Sequence, residues 1–178
     1  EASTLSLDEK LEVARIALAA SGGRVPVVAN VSETSTRAAL RYIDAANKLG
    51  VAGYMVMPSV IYVADAREAM ANVRAMAKAA QRPLMVYNNP VAYRVDLKPE
   101  HMLELADCEQ VVAVKESTGD IRRVTDLRLA LAPNHESMVI VIPIRGKRFY
   151  YNRKINCLPA SGWVEYQGQR HEITPSTC

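Results

Sequence analysis

Two stretches decide the reading of this chain: PLMVYNNP (83–90) and VVAVKESTGD (111–120). Each opens on a short, unbroken apolar run and ends on one reactive side chain, Tyr87 in the first and Lys115 in the second. Runs of this kind, without polar alternation, are strands of a parallel sheet covered by helices. Between them, residues 99–106 form a helix with proline in its first turn.

Outward from this pair the same alternation continues. Ser6 and Glu9 make an S-x-x-E capping box, and Leu7, Leu11, Ala14 and Leu18 recur at helical spacing up to Gly22-Gly23. VPVVANV (25–31) is an expected strand, 36–49 a helix, 52–57 a strand and 65–80 a helix whose methionines read as core filler. After Lys115, Asp120 is expected to cap a helix running to about Leu131. The order is αβαβαβαβα, with no strand expected to have a wet face. Alternation alone fits a barrel or an open doubly wound sheet. No GxGxxG or P-loop follows a strand, which argues against a nucleotide-binding open sheet.

The 178 residues carry a net charge of +3, with 49% apolar and 23% charged residues. There is no basic block to suggest nucleic acid, and no apolar run of the roughly 18 residues that span a membrane. Cys108, Cys157 and Cys178 are widely spaced, which argues against a metal site or disulfide framework and fits a reducing cytoplasm. No cofactor is expected. His135, His171 and Cys157 lack ligand spacing. The chain opens on Glu1 without an initiator methionine and reads as a fragment or a processed piece.

In α/β barrels the chemistry sits at the carboxyl ends of the strands. Four such ends are legible: Asn30, the Pro58-to-Tyr62 loop, Tyr87 to Pro90, and Lys115 to Asp120. A lysine at the mouth of an apolar barrel is partly desolvated, which favours the neutral amine that attacks a ketone to form an imine. A phenol on the neighbouring strand could relay protons. Taken singly, Lys115 also reads as a solvated strand-end lysine and Tyr87 as a tyrosine packed under a loop. The pair is more specific, because adjacent strands lie about 4.8 Å apart and their tips can share one substrate. Glu116 and Asp120 are further candidates for substrate hydroxyls.

LMVYNNP (84–90) and VVAVKESTGD (111–120) resemble the dihydrodipicolinate synthase / N-acetylneuraminate lyase superfamily, and EASTLSLDEK, VPVVANV, GYMVMPSVIY and DIRRVTDLR fall in family order. The resemblance covers residues 1 to about 130. It implies a partial (β/α)8 TIM barrel of about four central strands. It makes Lys115 the Schiff-base lysine and Tyr87 the acid/base tyrosine of a class I aldolase-type lyase acting on pyruvate or a related 2-keto acid. Asn88, Pro90, Tyr93, Ser117 and Tyr62 are the expected substrate-binding residues. The intact family enzyme is expected to be a homo-oligomer. YNNPVAY and KESTGD look closest to branches that dehydrate or deaminate sugar- or hydroxyproline-derived 2-keto acids. The synthase branch usually places arginine two residues after the turn proline; here that position is Ala92, with Arg94 two further on. The family's Gly-Thr-Thr-Gly loop is not in the sequence, so impaired catalysis is expected.

The composition changes near Pro133. Ala160 is the only later alanine, and Phe149, Trp163 and three tyrosines crowd the last residues. Residues 138–144 and 148–155 read as strands, and 163–166 with 169–173 as a β-hairpin around Gln167-Gly168. Tyr150 to Lys154 reads as a strand with alternating faces, rather than as a surface that stacks on nucleic acid. NHESMVIVIPI and FYYNRKINCLPASG resemble an uncharacterised β-rich family. The expected organisation is a partial barrel over 1–132 and a β-rich tail of different origin over 133–178. The alternative reading is a non-catalytic fragment or chimera whose tail is a binding or structural module.

Overall fold

Helix α1 (Leu7–Ser21) begins where Ser6 and Glu9 cap each other reciprocally and ends at Gly22, which adopts a left-handed conformation with φ 56°. Lys10 Nζ lies 2.6 Å from Glu33 and ties this helix to the loop after the first strand. The chain then runs β1 (Val28–Val31), α2 (Thr36–Asn47), β2 (Gly53–Val56), α3 (Ala66–Ala79) and β3 (Leu84–Asn88). It continues through α4 (Pro90–Tyr93), α5 (Pro99–Ala106), β4 (Val111–Glu116), α6 (Arg122–Leu131) and β5 (Val139–Val141). The computed structural model describes residues 4–59, 61–135 and 137–141, and the backbone of 162–166 and 169–173. The expected strand at 148–155, the Tyr150–Lys154 segment and the Gln167-Gly168 turn lie outside the described residues.

The five strands are all parallel and lie in chain order, β1-β2-β3-β4-β5. A doubly wound sheet reverses its strand order; this one does not. Right-handed crossovers that always step the same way place every connecting helix on one side. The result is a sector of a (β/α)8 barrel wall, as expected from the sequence, with five strands in place of about four. The core lies between this sheet and its helices, where Ile43, Tyr54, Val73, Met76, Leu84 and Leu127 are essentially sealed from solvent. The methionines Met70 and Met76 of α3 are buried in it. No helix among the described residues is long and apolar enough to cross a membrane.

Several boundaries differ from the sequence expectation. Strand β1 begins at Val28, because Pro26 has no N–H for a ladder. Helix α2 stops at Asn47, where Lys48 and Leu49 bond back three residues to Ala45 and Ala46. Helix α6 opens at Arg122 behind Ile121, so Asp120 is not its N-cap residue; its carboxylate still accepts the Arg122 N–H at 3.0 Å. The strands are not covered on both faces: Val28, Val112, Val139 and Val141 are exposed. These strands line the interior side of the wall, which a complete barrel encloses with its remaining strands.

The chain divides into two compact units, Glu1–Pro143 and Ile144–Cys178. The composition change near Pro133 falls inside the first unit, between α6 and β5. Within the second unit, β6 (Gly162–Tyr166) and β7 (Gln169–Ile173) pair antiparallel, as the expected hairpin does.

Gly53 shows how closely the wall is packed. A Cβ there would lie 2.7 Å from the Pro83 carbonyl oxygen, next to the Tyr54 N–H to Pro83 O bond at 2.9 Å. Neither backbone atom can step aside without breaking the β2–β3 ladder. Gly53→Ala is expected to cost about 1–3 kcal/mol, read as a lowered melting temperature.

Candidate active site

Tyr87 and Lys115 are register partners on β3 and β4. Their pairing depends on a ladder irregularity: Leu84 faces Val111, but Met85 faces Ala113. Without the extra residue, Lys115 would stand opposite Asn88. A bulge of this kind re-aims the side chains beyond it. Alternation does the rest. Val86 and Val114 bury against the helices, so Tyr87 and Lys115 point to the other face, the barrel interior. Lys115 Nζ lies 4.2 Å from the centre of the Tyr87 ring and 4.0 Å from Met55 Sδ. A cation over a tyrosine face is attracted by the ring quadrupole.

The phenol is held from two sides. Its oxygen accepts the Asn89 side-chain N–H at 2.9 Å. Its ring meets Tyr93 edge to face, with centroids 5.7 Å apart at 83°. Asn89 in turn caps α4, accepting the Ala92 N–H at 3.2 Å, with Pro90 at the first helical position. The Tyr93 hydroxyl donates to Met57 Sδ at 3.0 Å, and burial raises its pKa, with the Tyr87 charge adding to the effect. Sequence reading missed the positioning role of Asn89. An asparagine directly before proline is an N-cap signal that could have shown it.

The expected substrate-binding residues divide. Tyr93 packs on Tyr87, and Pro90 opens α4 beside it. Ser117 follows Lys115 by two positions, just beyond the end of β4; its Oγ is sealed from solvent and has no hydrogen-bond partner among the described residues. Asn88 is different. It is fully buried on the helix side of the sheet, because it is one residue out of phase with Tyr87. Its amide donates to Glu116 at 3.1 Å, Asp96 at 3.2 Å and Leu97 O at 3.2 Å. Its Oδ1 accepts the Leu97 N–H at 3.0 Å. Tyr62 is 78% exposed on the loop after β2, so it is not packed against the pair.

Glu116 and Asp120 are also committed elsewhere. Buried Glu116 accepts from Asn88 and from the Thr118 N–H at 2.8 Å. Asp120 pairs with Arg122 at 2.8 Å, which pulls its carboxyl down to about 2. Behind the site, Arg123 grips Asp96 with two bonds of 2.8 Å. Arg123, Asp96, Asn88 and Glu116 thus form one clamp across the ends of β3 and β4.

The clamp carries a pH signature. The Arg123 hydrogen bonds, helped by Asn88, hold the Asp96 carboxyl below its ordinary 3.8 against the opposing effect of burial. A carboxyl depressed in the folded state stabilises fully above its unfolded pKa, and that contribution is lost as pH falls through the folded value. Acid melts below about pH 4 are therefore expected to steepen through Asp96. Asp96→Asn should be less stable at neutral pH and lose less on acidification, measured as melting temperature against pH.

Comparison with known proteins agrees with the fold. The model of the dihydrodipicolinate synthetase family matches residues 1–138. The 4-hydroxy-tetrahydrodipicolinate synthase of Chelativorans sp. is 34% identical over 75% of this chain and 46% of its own length. That of Sphingopyxis alaskensis is 39% identical over 70% of this chain and 43% of its own. A third, from Macrococcus caseolyticus, aligns at 29% identity with 97% of this chain and 61% of its own. Among solved structures, dihydrodipicolinate synthase from Aquifex aeolicus superposes with a TM-score of 0.73 at 26% identity, over 78% of this chain and 47% of that one. The chain spans a little under half the length of the first of these relatives.

Proposed function

The chain belongs to the dihydrodipicolinate synthetase family, and we propose that it carries the imine-forming site of a class I aldolase-type lyase for pyruvate or a related 2-keto acid. The observation that carries this reading is the register pairing of Tyr87 with Lys115, with Nζ 4.2 Å from the ring centre. Neutral Lys115 attacks the keto carbon and passes one proton to the oxygen; the carbinolamine hydroxyl then takes a further proton from solvent and leaves as water, giving a protonated imine. Tyr87 relays the protons between nitrogen and oxygen. The iminium cation then stands over the same ring face that holds the ammonium group. It draws electrons from the adjacent carbon, which loses a proton or breaks its next bond. Ser117 binds the substrate, and Tyr93 with Asn89 fixes the phenol.

Relatives named 4-hydroxy-tetrahydrodipicolinate synthase support the lyase class. Ala92, exposed where the synthase branch usually places arginine, favours dehydration or deamination of a hydroxylated 2-keto acid over condensation. The protein acts in the cytoplasm and, as an intact enzyme, as a homo-oligomer. Imine formation, rather than a full catalytic cycle, is the activity assigned to these residues. The reading is tested by proton NMR in D2O. Enamine formation should exchange the methyl protons of pyruvate for deuterium, and Lys115→Ala should abolish the exchange. Equal exchange by both proteins would refute it.

The exposed interior face at Val28, Val139 and Val141 favours a second reading, a non-catalytic piece that persists by association. A monodisperse monomer with a cooperative melt in analytical ultracentrifugation and calorimetry would count against that.

A further inference from the structure

We infer that, granted the imine reading of Lys115, Met55 is an oxidation site whose peroxide-derived sulfoxide silences imine formation. Met55 is the one residue of β2 that is not buried. Tyr54 and Val56 on either side of it are sealed among the helices, so alternation turns Met55 to the interior side of the wall. Its Sδ lies 4.0 Å from Lys115 Nζ. The Tyr87 ring flanks the same nitrogen, with its centre 4.2 Å away. No carboxylate forms an ion pair with Lys115 among the described residues. A thioether is only a weak acceptor, so it packs beside the amine without holding a proton on it.

The other methionines are placed differently. Met57, Met70, Met76 and Met102 are buried, and the Met57 sulfur already accepts the Tyr93 hydroxyl. Met138 is partly exposed but lies beside Glu109 and His135, before β5. Met85, the register partner of Met55, is partly exposed on the same face, yet it is the Met55 sulfur that the lysine nitrogen reaches. Hydrogen peroxide supplies the oxygen. A sulfur lone pair attacks one peroxide oxygen and the O–O bond breaks. The sulfur is oxidised by two electrons, and the second oxygen leaves with both protons as water. The product is a polar sulfoxide where an apolar thioether stood. With the sulfur 4.0 Å from Nζ, an oxygen bound to it falls within hydrogen-bond reach of the amine. A hydrogen bond from an ammonium group is charge-assisted and strong. It holds the proton on Lys115, and a protonated amine has no lone pair to attack a ketone.

The test treats the chain with graded hydrogen peroxide, clears the peroxide with catalase and returns oxidised thiols to cysteine with dithiothreitol. Pyruvate and borohydride then report the rate of adduct formation, and peptide masses report the oxygen added at each methionine. With Met55 oxidised, the trapping rate is expected to fall about tenfold, the worth of one hydrogen bond to a charged group. Methionine sulfoxide reductases of both epimer specificities should restore it. Met55→Leu, similar in volume and without sulfur, should stay within about twofold of its own untreated rate at the same peroxide dose. Undiminished trapping with Met55 oxidised, equal loss in Met55→Leu, or a Met55 that stays unoxidised while Met138 is converted overturns the inference and leaves Lys115 in place. If the leucine variant does not fold, the unaltered chain decides. Loss that follows the sulfoxide fraction at Met55 supports the inference, and loss that follows Met85 or Met138 overturns it. No adduct on the untreated chain overturns the lysine reading and this inference with it.

Discussion

Asn88→Ala is expected to lower the stability of the barrel unit by about 2–4 kcal/mol, the largest loss from any single site discussed above. The side chain is fully buried, and its amide closes four hydrogen bonds: to Glu116, Asp96, Leu97 O and the Leu97 N–H. Alanine removes all four. It also strips the buried Glu116 carboxylate of a donor. A buried acceptor left without its partner costs more than the net worth of the bond itself. Small domains are stable by only about 5–15 kcal/mol, so the variant should unfold at clearly lower urea. The change also reaches the chemistry, because Asn88 and Glu116 are the register pair directly beyond Tyr87 and Lys115. Loosening the clamp frees the strand ends that aim both. A variant with unaltered urea midpoint would show that the clamp is ornamental.

Tyr87→Phe is expected to act in the opposite way, with little loss of stability and a large loss of rate. Phenylalanine keeps the ring face under Lys115 and the edge contact to Tyr93. Only the hydroxyl goes, leaving the Asn89 amide without that acceptor while its Oδ1 still caps Ala92. If Tyr87 relays the protons of imine formation, the pyruvate exchange rate should fall by about 10²- to 10⁴-fold, the usual worth of a general acid/base. The melting temperature should move by only a few degrees. A rate within about threefold of the unaltered chain would reduce Tyr87 to a packing residue.

How far the sequence shows this arrangement depends on the range of each interaction. The Ser6–Glu9 cap, helix α5 behind Pro99 and the β6–β7 hairpin are local, and residue type and spacing suffice to place them. The strand order is legible only as alternation; whether it closes toward a barrel needs the direction of successive crossovers. The 138–144 stretch reads as a strand, but the change in composition near Pro133 separates it from the sheet that Val139–Val141 in fact extends. Asn88 is a matter of phase. Once Tyr87 faces inward, the residue after it must face the helices, and a reading by motif alone passes over that alternation. The bulge at Val112 and the Arg123–Asp96 pair, 27 residues apart in the chain, leave no local trace. They depend on which strands and helices meet.

The imine chemistry rests on one nitrogen, Lys115 Nζ. Treating the chain with pyruvate and borohydride should reduce the imine to a stable secondary amine. Proteolysis with mass spectrometry should then find the added three-carbon acid on the peptide bearing Lys115, and on no other lysine in comparable yield. Modification spread evenly over the lysines, or absent from Lys115, would contradict the assignment of the Tyr87–Lys115 pair as an imine-forming site.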